Sequence, residues 1–145
     1  MTAIDDLYQA GTSTWLDDLS RERIATGNLA EVKDAKSIVG VTTNPAIFAA
    51  AMGSGTHYDE QLAELKQAGT TADAAVYAMS VKDVQDACDL FRDTYEATGG
   101  KDGRVSIEVD PRFAADEQKT IAQARELWQL VDRDNLMIKI PATDE

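Results

Sequence analysis

Four short apolar runs carry their polar residues on a single alternating face, and this phase limits the folds open to the chain. The runs are Thr14–Asp18 (TWLDD), Ile38–Asn44 (IVGVTTN), Arg104–Asp110 (RVSIEVD) and Leu136–Pro141 (LMIKIP). Their length and β-branched content fit strands better than helices. Side chains alternate between the two faces of a strand. Val39, Val41 and Thr43 therefore share one face, and Gly40, Thr42 and Asn44 the other. Val105, Ile107 and Val109 oppose Ser106 and Glu108, while Ile138 and Ile140 oppose Met137, Lys139 and Pro141. In the first run Leu16 opposes Trp15 and Asp17. Each strand thus has one apolar face, fit to pack under helices, and one face with polar groups near its C-terminal end.

Helical patterns fill the intervals. Ser20 is placed to cap a helix running towards Val32, interrupted at Thr26-Gly27-Asn28. Asn44-Pro45 is a helix start, with Asn as cap and Pro in the first turn. Thr56–Gln67 carries Leu62 and Leu65 on one face, with Gly69 as the stop. Ser80-Val-Lys-Asp83 resembles a capping box with Asp in place of Glu. It precedes an apolar stripe of Val84, Cys88, Phe91 and Tyr95 that ends at Gly99-Gly100. Ile121, Ala124, Trp128 and Val131 form a second stripe before the last strand. Strands alternating with helices predict a parallel sheet of βαβ units. A doubly wound sheet is covered on both faces and wants continuously apolar strands. A barrel is covered outside only, and the top of its interior is where TIM-barrel active sites lie. The polar inner faces favour the barrel.

Charge and residue counts exclude several function classes. With 26 acidic against 14 basic residues the formal charge is −12, and no Lys/Arg cluster is present to neutralise phosphates. Neither nucleic acid nor an anionic membrane surface is an expected partner. No run approaches the roughly 20 apolar residues that span a bilayer, and the acidic start MTAIDDLYQAG lacks the features of a signal peptide. Cys88 is the sole cysteine and His57 the sole histidine, so no zinc site of the usual ligand set and no internal disulfide is expected. The expectation is a soluble, acidic domain of the reducing cytoplasm, spanning 1–145, with neither metal nor cofactor.

Asp17, Glu108 and Lys139 are the ionisable groups aimed at one interior. Two readings stay open on pattern alone. The first is a buried ion-pair network closing the barrel top, although burying charges costs several kcal/mol each unless they are paired. The second is a lysine nucleophile served by two carboxylates. An amine attacks a carbonyl only when unprotonated, a state favoured by an apolar setting such as Met137, Ile138 and Ile140. A carboxylate near the resulting imine then moves protons. Aldol cleavage through a lysine Schiff base is the natural chemistry of such parts.

The segments TSTWLDDLSRERI, VGVTTNPAIF, YDEQL, DGRVSIEVDPR and LWQLVDRDNLMIKIPAT resemble the transaldolases, in the longer form typical of actinobacteria and of transaldolase–isomerase fusions. The resemblance covers nearly the whole chain, in the family's order. It implies a (β/α)8 barrel with the imine-forming lysine on the fourth strand, which puts that role on Lys139 of MIKIPAT. It further implies Asp17 of WLDD as acid/base for breaking and making the carbon–carbon bond. Glu108 of SIEVD is implied as the partner that orients the catalytic water. Asn44 and Thr42 of TTNP resemble residues that hold substrate hydroxyls or the water, and for Asn44 a plain helix-cap role stands beside this. Asp18 is expected to face a helix or solvent, Cys88, Phe91 and Tyr95 to be core, and His57 to be an exposed bystander.

The resemblance implies transfer of a dihydroxyacetone unit between sugar phosphates in the pentose phosphate pathway, with sugar phosphates as partners. A TIM barrel takes about 250 residues, so the expected fold is α/β, the first half (about four βα units) of a TIM barrel, as a single truncated domain. Two alternatives remain: a related Schiff-base aldolase of the fructose 6-phosphate aldolase type, and an inactive half-barrel fragment. A half-barrel is further expected to self-associate or to associate with the missing half.

Overall fold

A computed structural model of the chain describes residues 2–144. It contains a parallel sheet of β1 (Trp15–Leu16), β2 (Gly40–Val41), β3 (Arg104–Glu108) and β4 (Leu136–Lys139), in the spatial order β1-β2-β3-β4. A doubly wound sheet reverses its strand order at a switch point. Here each strand lies beside its successor, the progression of a βα barrel wall. β1 and β2 are shorter than the apolar runs, although backbone bonds continue at their ends, from the Val39 N–H to the Thr14 carbonyl at 3.0 Å and from the Thr42 N–H to the Leu16 carbonyl at 2.9 Å.

The helices are α1 (Ala3–Gln9), α2 (Arg21–Ala25), α3 (Asn28–Ala35), α4 (Pro45–Met52), α5 (Asp59–Gln67), α6 (Ala72–Leu90), α7 (Arg92–Ala97) and α8 (Glu117–Val131), with a 3-10 turn at Pro111–Phe113. The core lies between them and one face of the sheet. Val41, Val105, Ile107 and Val109 pack against Leu29 of α3, Phe48 of α4, Val84 and Cys88 of α6, and Leu127 and Val131 of α8. Full burial of such an aliphatic or aromatic side chain stabilises by about 1.5–3 kcal/mol. Burial pushes the Cys88 thiol up to about 12, with the charge of Asp89 adding to the rise. Cys88 is thus a core residue, as is Phe91, while Tyr95 is only half-buried.

Several expected boundaries hold. The Ser20 hydroxyl accepts from the Arg23 N–H at 3.2 Å. The predicted interruption separates α2 from α3 at Gly27, whose φ of +80° suits glycine. Asn44 caps α4, its Oδ1 accepting from the Ile47 N–H at 3.0 Å.

Two expectations are corrected. Ser80–Asp83 caps nothing: α6 starts nine residues earlier, at a Thr71 cap, and runs through both residues. Ser80 instead donates back to the Val76 carbonyl. The buried Asp83 accepts from Arg21 Nε at 2.8 Å and from the Tyr58 hydroxyl at 2.6 Å. Burial nevertheless raises its carboxyl above the usual range, against the opposing pull of both partners. A buried carboxylate held by a guanidinium and a phenol ties α2 and the start of α5 to α6, a role that sequence spacing alone assigns to capping. The second correction concerns α8, whose buried face is Thr120, Leu127 and Val131, while Trp128 is 48% exposed. Trp and Leu at adjacent positions offer two phases of one helix, and packing under the sheet selects Leu127. No element is expected from the sequence at α1, which has no buried residue. A Thr2/Asp5 capping box holds it, so it leaves no apolar periodicity to read.

The register orders the uncovered face of the sheet in layers. Trp15, Gly40 and Arg104 are aligned in the lowest, and Glu108 is paired with Lys139 at the top. A Cβ on Gly40 would lie 2.5 Å from the Trp15 ring and 2.9 Å from the Arg104 carbonyl oxygen. Glycine is the residue that lets the indole cross β2.

Candidate active site

The polar ends of the four strands gather along the C-terminal rim of the sheet. Glu108 and Lys139 are direct register partners on β3 and β4. Lys139 Nζ stands 3.4 Å from Glu108 Oε2, with the side chains 39% and 18% exposed. The amine also donates to the Thr43 carbonyl at 2.9 Å. Alternation and register on two parallel strands thus bring an amine and a carboxylate side by side, and the Thr43 carbonyl of the neighbouring strand segment holds the amine.

Asp17 stands apart. It is exposed just beyond β1, and no described residue bonds its carboxylate. With strands about 4.8 Å apart, the three steps from β1 to β4 amount to roughly 14 Å measured along the sheet. The three ionisable groups share a rim but do not converge into contact, so the three-charge network is not formed among the described residues. The structure brings together Glu108 and Lys139, and leaves Asp17 on the wall of a separate cleft.

Asn44 lies between them. A cleft of about 800 Å³ is lined by Asp17, Asp18, Asn44 and residues of α2 and α4. A second, of about 510 Å³, is lined by Asn44, Phe48, Tyr77, Ile107, Glu108 and Arg112 among others. Lys139 lines neither cleft. Its neighbours in the chain do not enclose it: Met137 is 44% and Ile140 54% exposed, so the apolar setting expected from them is not formed here. Thr42 contributes its Oγ1 as acceptor for the Ser106 hydroxyl at 3.2 Å, which places it one layer below the Glu108–Lys139 pair.

The remaining expected residues are readily placed. Asp18 pairs with Arg23 of α2 at 2.7 Å, the helix contact expected of its face. His57 is exposed. Sequence reasoning missed Thr43, which is fully buried yet supplies the acceptor for Lys139. Alternation assigns its side chain to the apolar face, and a carbonyl acceptor leaves no residue-type signal. Among the described residues no group of three or more His, Cys, Asp or Glu is placed to hold a metal ion. No described helix is long and apolar enough to cross a membrane.

A parallel βα wall whose strands follow one another in order defines the class, part of a TIM-barrel fold. The family model for transaldolase/fructose-6-phosphate aldolase matches residues 14–145. "Transaldolase 1" of Streptomyces avermitilis is 60% identical over 140 residues, covering 97% of this chain and 37% of the relative. "Transaldolase 1" of Streptomyces coelicolor is 60% identical over 141 residues with the same coverage. "Transaldolase" of Mycolicibacterium smegmatis is 59% identical over 137 residues, covering 94% of the chain and 37% of the relative. The chain belongs to the transaldolase/fructose-6-phosphate aldolase family. It spans about 37% of the length of these relatives and forms the first half, about four βα units, of the family's TIM barrel.

Proposed function

We propose that this chain carries the Schiff-base half of a transaldolase site, with Lys139 as the nucleophile. The observation that supports it most is the amine of Lys139 held at 2.9 Å by a carbonyl and at 3.4 Å by the Glu108 carboxylate. In this reading the neutral amine adds to the carbonyl carbon of a ketose phosphate, such as fructose 6-phosphate or sedoheptulose 7-phosphate. The carbonyl oxygen takes one proton from the amine nitrogen and a second from solvent or a nearby acid and leaves as water, giving the protonated imine. Asp17 removes the proton of the hydroxyl beyond the bond to be broken. That bond breaks, its electron pair moves into the imine as an enamine, and the aldose phosphate departs. The enamine then adds to a second aldose phosphate. Glu108 orients the water that finally hydrolyses the imine, and Asn44 and Thr42 hold hydroxyl groups or that water. The reaction belongs to the pentose phosphate pathway, in a cytoplasmic setting.

Release of dihydroxyacetone instead of its transfer, the aldolase alternative, would need water to reach the enamine more readily. The Glu108 position bears on that difference. Borohydride reduction in the presence of fructose 6-phosphate, followed by peptide mass spectrometry, tests the nucleophile. The expected adduct lies on Lys139 and disappears in Lys139→Met. Lys139→Arg should not restore it, because a guanidinium stays protonated. An adduct on a different lysine would refute the assignment.

A further inference from the structure

The β2–β3 ladder opens beneath the Lys139 amine, and two hydroxyl groups hold it open. In a parallel pair the bonds are evenly spaced, and alternate residues of a strand bond to the two residues that flank their partner. With Val41 opposite Val105, the regular continuation would bond the Thr43 N–H to the Ser106 carbonyl and the Glu108 N–H to the Thr43 carbonyl. Neither bond is present among the described residues. The Thr43 N–H instead donates to Ser106 Oγ at 3.1 Å, and Thr43 Oγ1 donates to the Ser106 carbonyl at 2.6 Å. The Ser106 hydroxyl in turn donates to Thr42 Oγ1 at 3.2 Å. Both Thr43 and Ser106 are buried, so these groups cannot exchange the bonds for water at little cost. The Thr43 carbonyl, left without a backbone donor, accepts from Lys139 Nζ.

We propose that Thr43 and Ser106 are positioning residues for Lys139: their reciprocal hydroxyl clasp withholds the Thr43 carbonyl from the sheet so that it holds the amine. A neutral amine has two N–H donors and one lone pair. With one N–H on the Thr43 carbonyl and the other towards Glu108, the lone pair is turned to the open inner face, where a carbonyl carbon must approach. Removing either hydroxyl lets the direct ladder bond form again, returns the Thr43 carbonyl to the Glu108 N–H and leaves the amine free to rotate. This rests on Lys139 being the imine-forming residue.

The test is reductive trapping of the purified chain with dihydroxyacetone and borohydride, reading the adduct on Lys139 relative to the exposed Lys36, Lys66 and Lys101. The ratio separates positioning from a general loss of folded protein. In Thr43→Val and Ser106→Ala the ratio should fall by roughly ten- to a hundredfold, the scale of an angstrom-level misplacement. The dihydroxyacetone concentration giving half the maximal rate should stay unchanged. Thr43→Ser, which keeps the hydroxyl, should restore the ratio to near wild type. If Thr43→Val does not fold, Ser106→Ala and Thr43→Ser carry the comparison. Wild-type ratios in both hydroxyl-free variants would overturn the proposal while leaving Lys139 as nucleophile. No preference for Lys139 in the wild-type chain would overturn both.

Discussion

Glu108 and Lys139 face each other across adjacent parallel strands, Oε2 to Nζ at 3.4 Å. They are 31 positions apart in the chain and meet through β-sheet register, not through a local motif. The pair is partly exposed, 39% at Lys139 and 18% at Glu108, and solvent screens part of its attraction.

The two carboxylates should differ in what they control. In this chain joined to the remaining length of the Streptomyces coelicolor relative, Asp17→Ala should lower turnover by roughly 10²–10⁴-fold. The imine should still be trapped on Lys139, because Asp17 is not in contact with the amine. Glu108→Ala should slow trapping as well as turnover. Single-turnover trapping beside a coupled assay separates the two, and near-wild-type rates in both variants would return the rim to a structural role.

Gly40→Ala should destabilise the chain by about 1–3 kcal/mol, the usual cost of overpacking. The new methyl would meet the Trp15 ring at 2.5 Å. Combined with Trp15→Leu, the loss should be smaller than the sum of the single changes, because the smaller side chain relieves part of the clash. Urea unfolding of the four variants of the cycle measures this coupling.

Arg133 grips Asp89 with two hydrogen bonds, Nε to Oδ1 at 2.6 Å and a second nitrogen to Oδ2 at 2.9 Å. These bonds hold the Asp89 carboxyl below its ordinary range, against a smaller opposing effect of burial and with help from the charges of Arg133 and Arg92. A carboxyl lowered in the folded state binds its proton less tightly there than in the unfolded chain. Its stabilisation is therefore full above the unfolded value near 3.8 and is lost as pH falls through the lower folded value. Asp89 is 53% exposed, so solvent screening keeps the contribution to no more than about 1 kcal/mol. Wild type and Asp89→Asn should differ by up to that amount at pH 6 and converge below the usual carboxylate range. Urea midpoints collected across pH give the curve.

The chain expressed alone should self-associate and turn over sugar phosphates poorly. β1 and β4 are both edges of the sheet, and unpaired strand edges are templates for further pairing. β1 offers two residues, whereas β4 offers four and carries Met137 at 44% exposure beside Ile140 at 54%. Light scattering after size exclusion should show species larger than a monomer. Ile140→Lys or Met137→Lys should shift them towards monomer, as charged edges do. A wild-type monomer at micromolar concentration, with turnover like that of a complete transaldolase, would contradict this.

The sequence by itself determined the strand-and-helix alternation, the apolar face of each strand, the caps at Ser20 and Asn44, and the side of the sheet on which Asp17, Glu108 and Lys139 lie. These follow from period-two alternation and local capping, which need no distant partner. The tertiary structure alone decided which of two phases of α8 is buried, choosing Leu127 over Trp128. It turned Ser80 and Asp83 from a helix cap into interior positions, since a helix already running from Ala72 leaves no terminus there to cap. It also paired Glu108 with Lys139 while leaving Asp17 apart, because register and strand spacing are set between segments. The Thr43 carbonyl is the clearest case. Every residue has such a group, and only the broken ladder between β2 and β3 decides that this one meets the lysine.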